Sequence, residues 1–237
     1  MARRLALLAL STLVSCVSTT PPLEQDAAPE EEVGYVAARL LFTGPRGWGG
    51  RFAFELKPWE GESLHFGFGS PKQQGEWEVR LIPVPPGVYR VESWVAYDSY
   101  GKVANREPFG FGSFLVRPGH VVFLGTFRAQ TDRAHVPATG GKGTAIRLSW
   151  SFQADKTRAD EASASLRSAY ARFATAPVEC VLCGAPEPGA TSPATRALTP
   201  EEAEAQGIPI PEPAAARKRS RSKEAEEKVP EDRNGLW

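Results

Sequence analysis

From Val33 onward the chain alternates between apolar and polar residues. Val36, Ala38, Leu40 and Phe42 share one parity, and Phe52, Phe54 and Leu56 alternate with Arg51, Ala53, Glu55 and Lys57. Trp77, Val79 and Leu81 interleave with Glu76, Glu78 and Arg80. Tyr89, Val91 and Val95 share a parity with Ser93, and Val121, Phe123 and Phe127 form a further apolar face. Ile146, Leu148, Trp150 and Phe152 against Arg147, Ser149 and Ser151 is the cleanest case. Period-two alternation predicts strands with one face on a core. Turn signals separate the runs: Gly44-Pro45, Gly47 to Gly50, Pro85-Pro86-Gly87, Pro118-Gly119 and Gly140-Gly141. The expectation is an all-β domain over residues 33–153, an antiparallel β-sandwich of about eight strands.

Two segments depart from this period. Phe66-Gly67-Phe68-Gly69-Ser70 recurs as Phe109-Gly110-Phe111-Gly112-Ser113. In a strand, both Phe face the core, and the bare Gly face allows either close approach of another backbone or a flat ligand, or a bend or tight packing. Between Asp155 and Ala176, Ala162, Leu166, Tyr170 and Phe173 recur every three or four residues, the stripe of an amphipathic helix. Thr157 and Asp160 are placed to cap it. That predicts a helix over residues 155–176 lying on the sandwich. Residues 177–237 are rich in Pro, Ala, Glu and Ser, with a basic block from Arg217 to Lys223, and read as a disordered tail.

The N-terminus changes the picture from fold to address. Met1-Ala2-Arg3-Arg4 precedes an apolar run from Leu5 to Leu10 and then Leu13-Val14-Ser15-Cys16. A basic start, a short apolar stretch and a small residue are the layout of a secretory signal peptide, here residues 1–15. The run falls short of the roughly 20 residues a membrane-spanning helix needs. Leu-Val-Ser-Cys resembles the lipobox of bacterial lipoproteins. The resemblance implies diacylglyceryl transfer to the Cys16 thiol, cleavage before it and acylation of the new amino group. Val17 stands where an Asp would imply inner-membrane retention in that family, so the implied address is the outer membrane. Residues 16–32, with five acidic residues and no basic one, read as a tether holding the domain off the membrane.

Two further resemblances fall inside the alternating region. Pro85-Pro86-Gly87-Val88-Tyr89-Arg90-Val91 resembles the Pro-Pro-Gly-x-Tyr turn of carboxypeptidase-regulatory-like and related small β-sandwich domains. Arg117-Pro118-Gly119-His120-Val121-Val122-Phe123-Leu124-Gly125 is similar to a strand of bacterial lipoprotein domains of unknown function. Both imply a non-catalytic domain and bring no functional residue with them.

Charge narrows the partners. The whole chain balances 28 basic with 28 acidic residues, and residues 33–153 hold 14 basic against 9 acidic. That excess is too small for nucleic-acid binding. No G-x-S-x-G, H-E-x-x-H or phosphate-binding loop is present. His120 is expected on an exposed strand face, and His135 near Asp132 in a long loop over residues 129–143.

Cys180-Val181-Leu182-Cys183 leaves several readings open. A local disulfide suits an exported protein. A zinc knuckle needs two more ligands, and His65, His120 and His135 lie scattered far upstream. A redox site needs a helix start, where Gly184, Pro186 and Pro188 follow instead. Two free thiols are the fourth reading. No cofactor or metal is expected. Trp48 and Trp59 lie in turn-like stretches, Gly-Trp-Gly-Gly and Pro-Trp-Glu-Gly, where an aromatic ring can stack on a sugar or cap the core. The expected protein is a non-enzymatic outer-membrane lipoprotein working through an envelope protein partner. The alternative is a glycan- or peptidoglycan-binding module using Trp48 and Trp59.

Overall fold

The computed structural model describes residues 19–44, 51–68, 75–98, 101–106, 110–137 and 144–211. Cys16, Trp48 and residues 212–237 lie outside them. The all-β class holds, with long strands where the alternation ran. These are β2 (Gly34–Thr43), β3 (Arg51–Pro58), β4 (Leu64–Phe68), β5 (Trp77–Val84), β6 (Gly87–Asp98), β7 (Gly101–Arg106), β9 (Val121–Pro137) and β10 (Thr144–Asp155). Short strands flank them: β1 (Thr19–Thr20), β8 (Ser113–Val116), β11 (Thr157–Arg158), β12 (Val178–Cys180), β13 (Cys183–Gly184) and β14 (Thr195–Arg196). Runs of two to four residues carry no readable period, so most of the short strands escaped the sequence pattern.

The strands form two larger sheets. One runs β1-β4-β3-β6-β7, with β8 also on β6; the other runs β14-β12-β9-β2-β5, with β10 also on β9. The purely antiparallel expectation fails in both sheets. In the first, β1 lies parallel to β4; in the second, β9 lies parallel to both β2 and β12, and β12 parallel to β14. One core is shared by both sheets. Phe52, Phe54, Phe66 and Phe68 of the first meet Leu40, Val122, Leu124 and Phe127 of the second. The Phe54 ring lies 4.9 Å from that of Phe127 across this gap.

The opposite face of the second sheet is covered by α1 (Ala159–Ala169) and a 3-10 turn at Ala171–Phe173. Tyr35, Ala37, Val121 and Phe123 pack there on Leu166, Tyr170 and Phe173. The helix starts later than the stripe suggested. Thr157 is spent in β11, and Glu161 accepts the Arg158 N–H at 3.2 Å.

Two bulges explain where simple parity went wrong. On β9 the register jumps between Phe123 and Thr126, with Leu124 and Gly125 opposite the single residue Ala38 of β2. Gly125 takes φ +145°. Val121 and Phe123 therefore face α1, whereas Phe127 faces the other sheet. On β6 the extra residue is Glu92; Trp94 joins Tyr89 and Val91 in the core, and the Ser93 hydroxyl donates to Glu55 Oε2 at 2.7 Å. Each bulge adds one residue and flips every side chain beyond it.

The glycine repeat adopts two conformations. Phe66 and Phe68 are core residues of β4, as expected. In the second copy Gly110 and Gly112 both have φ +64°, Phe111 enters the core from outside any strand, and strand β8 begins only at Ser113. The loop expected over residues 129–143 is mostly strand: β9 runs to Pro137 and pairs with β10, setting His135 opposite Ile146. Asp132 and His135 are thus ladder positions, not loop residues.

The expected tether and tail are corrected over part of their length. Strand β1 pairs with β4, and the Leu23 N–H donates to the Leu81 carbonyl of β5 at 2.8 Å. The hydroxyl of Tyr170 accepts the Leu81 N–H at 3.2 Å. Strand β5 is the end of its sheet, and these two bonds cover backbone groups that an uncovered edge would offer to another chain. Residues 177–211 pack as well. Val178 and Cys180 are buried against α1, and α2 (Pro200–Ala205) sets Ala203 on Val88 and Leu115. Thr199 and Glu202 cap α2 reciprocally. Composition hid these elements, because a few small apolar residues suffice to seat a short segment on an existing surface.

Candidate functional site

Strand β3 ends at Pro58, which pairs with Tyr89 of β6. The next residue, Trp59, is held by its N–H bond to the Val88 carbonyl at 2.9 Å. The chain then turns at Gly61, φ +110°. That fixes the Trp59 backbone on a strand end while its side chain stands free, 76% exposed. Opposite lies the Pro85-Pro86-Gly87 turn, stiffened by the Tyr89 hydroxyl donating to the Pro85 carbonyl at 2.7 Å. Burial pushes the Tyr89 phenol well above its ordinary pKa, so it stays a neutral donor. The third wall comes from the C-terminal segment, Pro200 and Ile210-Pro211.

These walls enclose a groove of about 500 Å³. Its lining is mainly proline, aliphatic and aromatic, with Glu60 and Glu62 as its charged side chains. A smaller hollow of about 240 Å³ shares Trp59 and Tyr89 and adds Lys57 and Arg90. Trp59 therefore stands between an acidic side and a basic side. Among the described residues the exposed large hydrophobic side chains are Trp59 and Ile210, and both line the one groove. Exposed apolar groups that converge mark a binding surface more strongly than scattered ones do.

A second constellation sits where β9 begins. Glu179 of β12 has a side chain only 2% exposed, and its Oε1 accepts from Arg117 Nε at 3.0 Å and lies 2.8 Å from His120 Nδ1. Burial alone would raise the Glu179 pKa. The hydrogen bonds and charges of His120 and Arg117 outweigh it and hold the carboxyl below its ordinary value. Oε2 is buried without a hydrogen-bond partner. His120, expected to be simply exposed, is thus half-buried and engaged. Sequence reasoning missed Glu179 because it lay in the presumed tail; the visible signal was an acid between two apolar residues, Val178 and Cys180. The cluster ties the C-terminal segment to the Pro118-Gly119 turn.

The cysteines close the same region. Cys180 and Cys183 are joined as a disulfide with Cα atoms 5.6 Å apart. A broader hollow of about 820 Å³ lies between α1 and β5. There Trp77 is flanked by the guanidinium carbons of Arg39 and Arg128, 4.4 and 5.0 Å from its ring centre. Arg80 in the same hollow pairs with Glu78 and Arg128 with Asp155, so little net charge remains. No group of three His, Cys, Asp or Glu able to hold a metal occurs among the described residues. None of their helices is long and apolar enough to cross a membrane.

No family model matches the chain, and no curated protein matches it. Among solved structures it is similar to a leucine-rich repeat protein from Bacteroides thetaiotaomicron, at 13% identity and a TM-score of 0.28, over 43% of this chain. The match spans 14% of that protein's length. So slight a likeness carries no argument about fold or function.

Proposed function

We propose that this chain is a non-enzymatic lipoprotein of the outer membrane, anchored through Cys16, that acts as an accessory protein by binding another envelope protein at the Trp59 groove. The observation that carries the binding role is the convergence of exposed Trp59 and exposed Ile210 on one apolar groove. Side chains of that kind dominate binding energy when a partner covers them. The sandwich is the rigid scaffold, and the groove is built on strand ends and tight turns. The anchor rests on the lipobox resemblance. Palmitate labelling of the whole protein tests it: loss of label in Cys16→Ser supports lipidation, and unchanged label removes it. Cross-linking and affinity purification of the lipidated protein test the partner, with Trp59→Ala as control. A stoichiometric envelope protein held by the parent and not by the variant is the expected result.

The second reading, a glycan-binding module, draws on the exposed Trp59 ring beside Glu60 and Glu62. Retention on peptidoglycan that disappears in a Trp48→Ala, Trp59→Ala double variant would favour it over the first.

A further inference from the structure

We infer that the Trp59 groove takes an extended, proline-containing peptide segment whose lysine or arginine meets Glu60 and Glu62. This rests on the reading that the groove is the protein's contact surface, and it specifies what chemistry the partner presents there.

The lining separates the candidate ligands. A sugar offers many hydroxyls and needs a matching set of donors and acceptors. Here the Tyr89 hydroxyl is already committed to Pro85, and the remaining side-chain polar groups are two carboxylates and the Trp59 indole N–H, a sparse set for a sugar. A polyproline-type segment has the opposite character. It brings flat apolar rings and needs few hydrogen bonds. Its backbone is already extended, so little conformational entropy is lost on docking. An aromatic ring standing beside a stiff turn is the surface on which such segments lie, and exposed Trp59 supplies it here, next to the turn that buried Tyr89 braces.

A proline-containing stretch of the chain itself already lines this surface. Ile210-Pro211 lies along one side of the groove, following Ile208, which packs on the Val88–Leu115 patch. Ile210 is nevertheless 41% exposed, so its outer side is open to a second extended segment.

Charge sets the direction. Glu60 and Glu62 are exposed and have no ion pair among the described residues, while Lys57 and Arg90 stand beyond Trp59. A basic residue placed over Glu60 and Glu62 is complementary, and an acidic one there is repelled.

Calorimetric titration of the full-length protein in detergent tests this. The probes are a synthetic proline–alanine peptide ending in arginine, the same peptide ending in glutamate, and a chitooligosaccharide. The expected result is binding of the arginine peptide, weakened about tenfold or more by Trp59→Ala, as loss of a central aromatic anchor does. Glu60→Gln with Glu62→Gln should weaken it about threefold, the scale of exposed ion pairs, and erase the preference over the glutamate peptide. Binding of the chitooligosaccharide with no response to either peptide overturns the inference, as does peptide binding indifferent to Trp59→Ala. A cross-linked envelope partner that depends on Trp59 but is not displaced by excess arginine peptide overturns the peptide inference alone. A partner indifferent to Trp59→Ala overturns the contact reading itself.

Discussion

His120 and Glu179 meet at 2.8 Å across the seam between β9 and the C-terminal segment, with the Glu179 side chain almost wholly buried. Arg117 completes the cluster from the other side of the Pro118-Gly119 turn. The pairing is the polar counterpart of the backbone ladder that sets Val178 opposite Val121.

Removing the acid should be costly. Glu179→Ala leaves Arg117 and His120 facing an apolar void, although both reach solvent in part. The expected loss is about 2–3 kcal/mol, somewhat below that for orphaning a fully buried charge. Urea denaturation of parent and variant measures it, and a difference under about 0.5 kcal/mol would sink the idea that this cluster holds the C-terminal segment.

The same group gives a pH dependence. Its folded-state pKa is depressed below the ordinary 4.5, so the folded state binds fewer protons than the unfolded chain near that pH. Its contribution is fully present above the unfolded value and disappears as pH falls through the lower, folded one. The urea midpoint should therefore stay level from neutrality to about pH 5 as far as this group is concerned, then decline. Glu179→Ala should flatten part of that decline.

Gly125 is the hinge of the β9 bulge. A Cβ there would lie 3.2 Å from the Phe127 ring and 3.3 Å from Leu182 Cβ, on a backbone at φ +145°. Gly125→Ala should destabilise by about 1–3 kcal/mol, strain adding to crowding. Thermal unfolding followed by circular dichroism checks this. A rise in melting temperature would mean that the bulge relaxes readily.

Purified without reductant, the protein should show no titratable thiol at Cys180 or Cys183. The closed loop is short, so replacing both with Ser should cost only about 2 kcal/mol on the chain-entropy account. Two reactive thiols in the unreduced protein would contradict the bond.

Trp59 and Phe54 should respond oppositely to truncation. Phe54 is fully buried among rings of both sheets, and Phe54→Ala should cost about 3–5 kcal/mol. Trp59→Ala removes an exposed side chain and should change stability by no more than about 0.5 kcal/mol. A Trp59 variant that unfolds readily would make the residue a structural cap and remove it from the binding surface.

The long strands were legible because apolar residues recur at every second position, a period no helix has, as with Val36 to Phe42 and Phe52 to Leu56. What parity could not supply was the two bulges, since Glu92 and Gly125 break the period without announcing it. Trp59 was found from its turn-like surroundings, but the groove was not, because Ile210-Pro211 reaches it from about 150 residues further along the chain. Glu179 escaped for a related reason. A three-residue strand in a Pro- and Ala-rich stretch is seated by the sheet it joins and not by any pattern of its own.

The pairing of β1 with β4 bears on where the domain would stand in the cell. If Cys16 carries the anchor, Thr19, already part of a sheet, stands only three residues further along the chain. Three residues reach at most about 10 Å when fully extended. The acidic stretch then lies along the domain and not beneath it, and the β domain rests at headgroup height. Its partner would be met at the lipid surface, within arm's length of the bilayer, and not out in the aqueous space beyond.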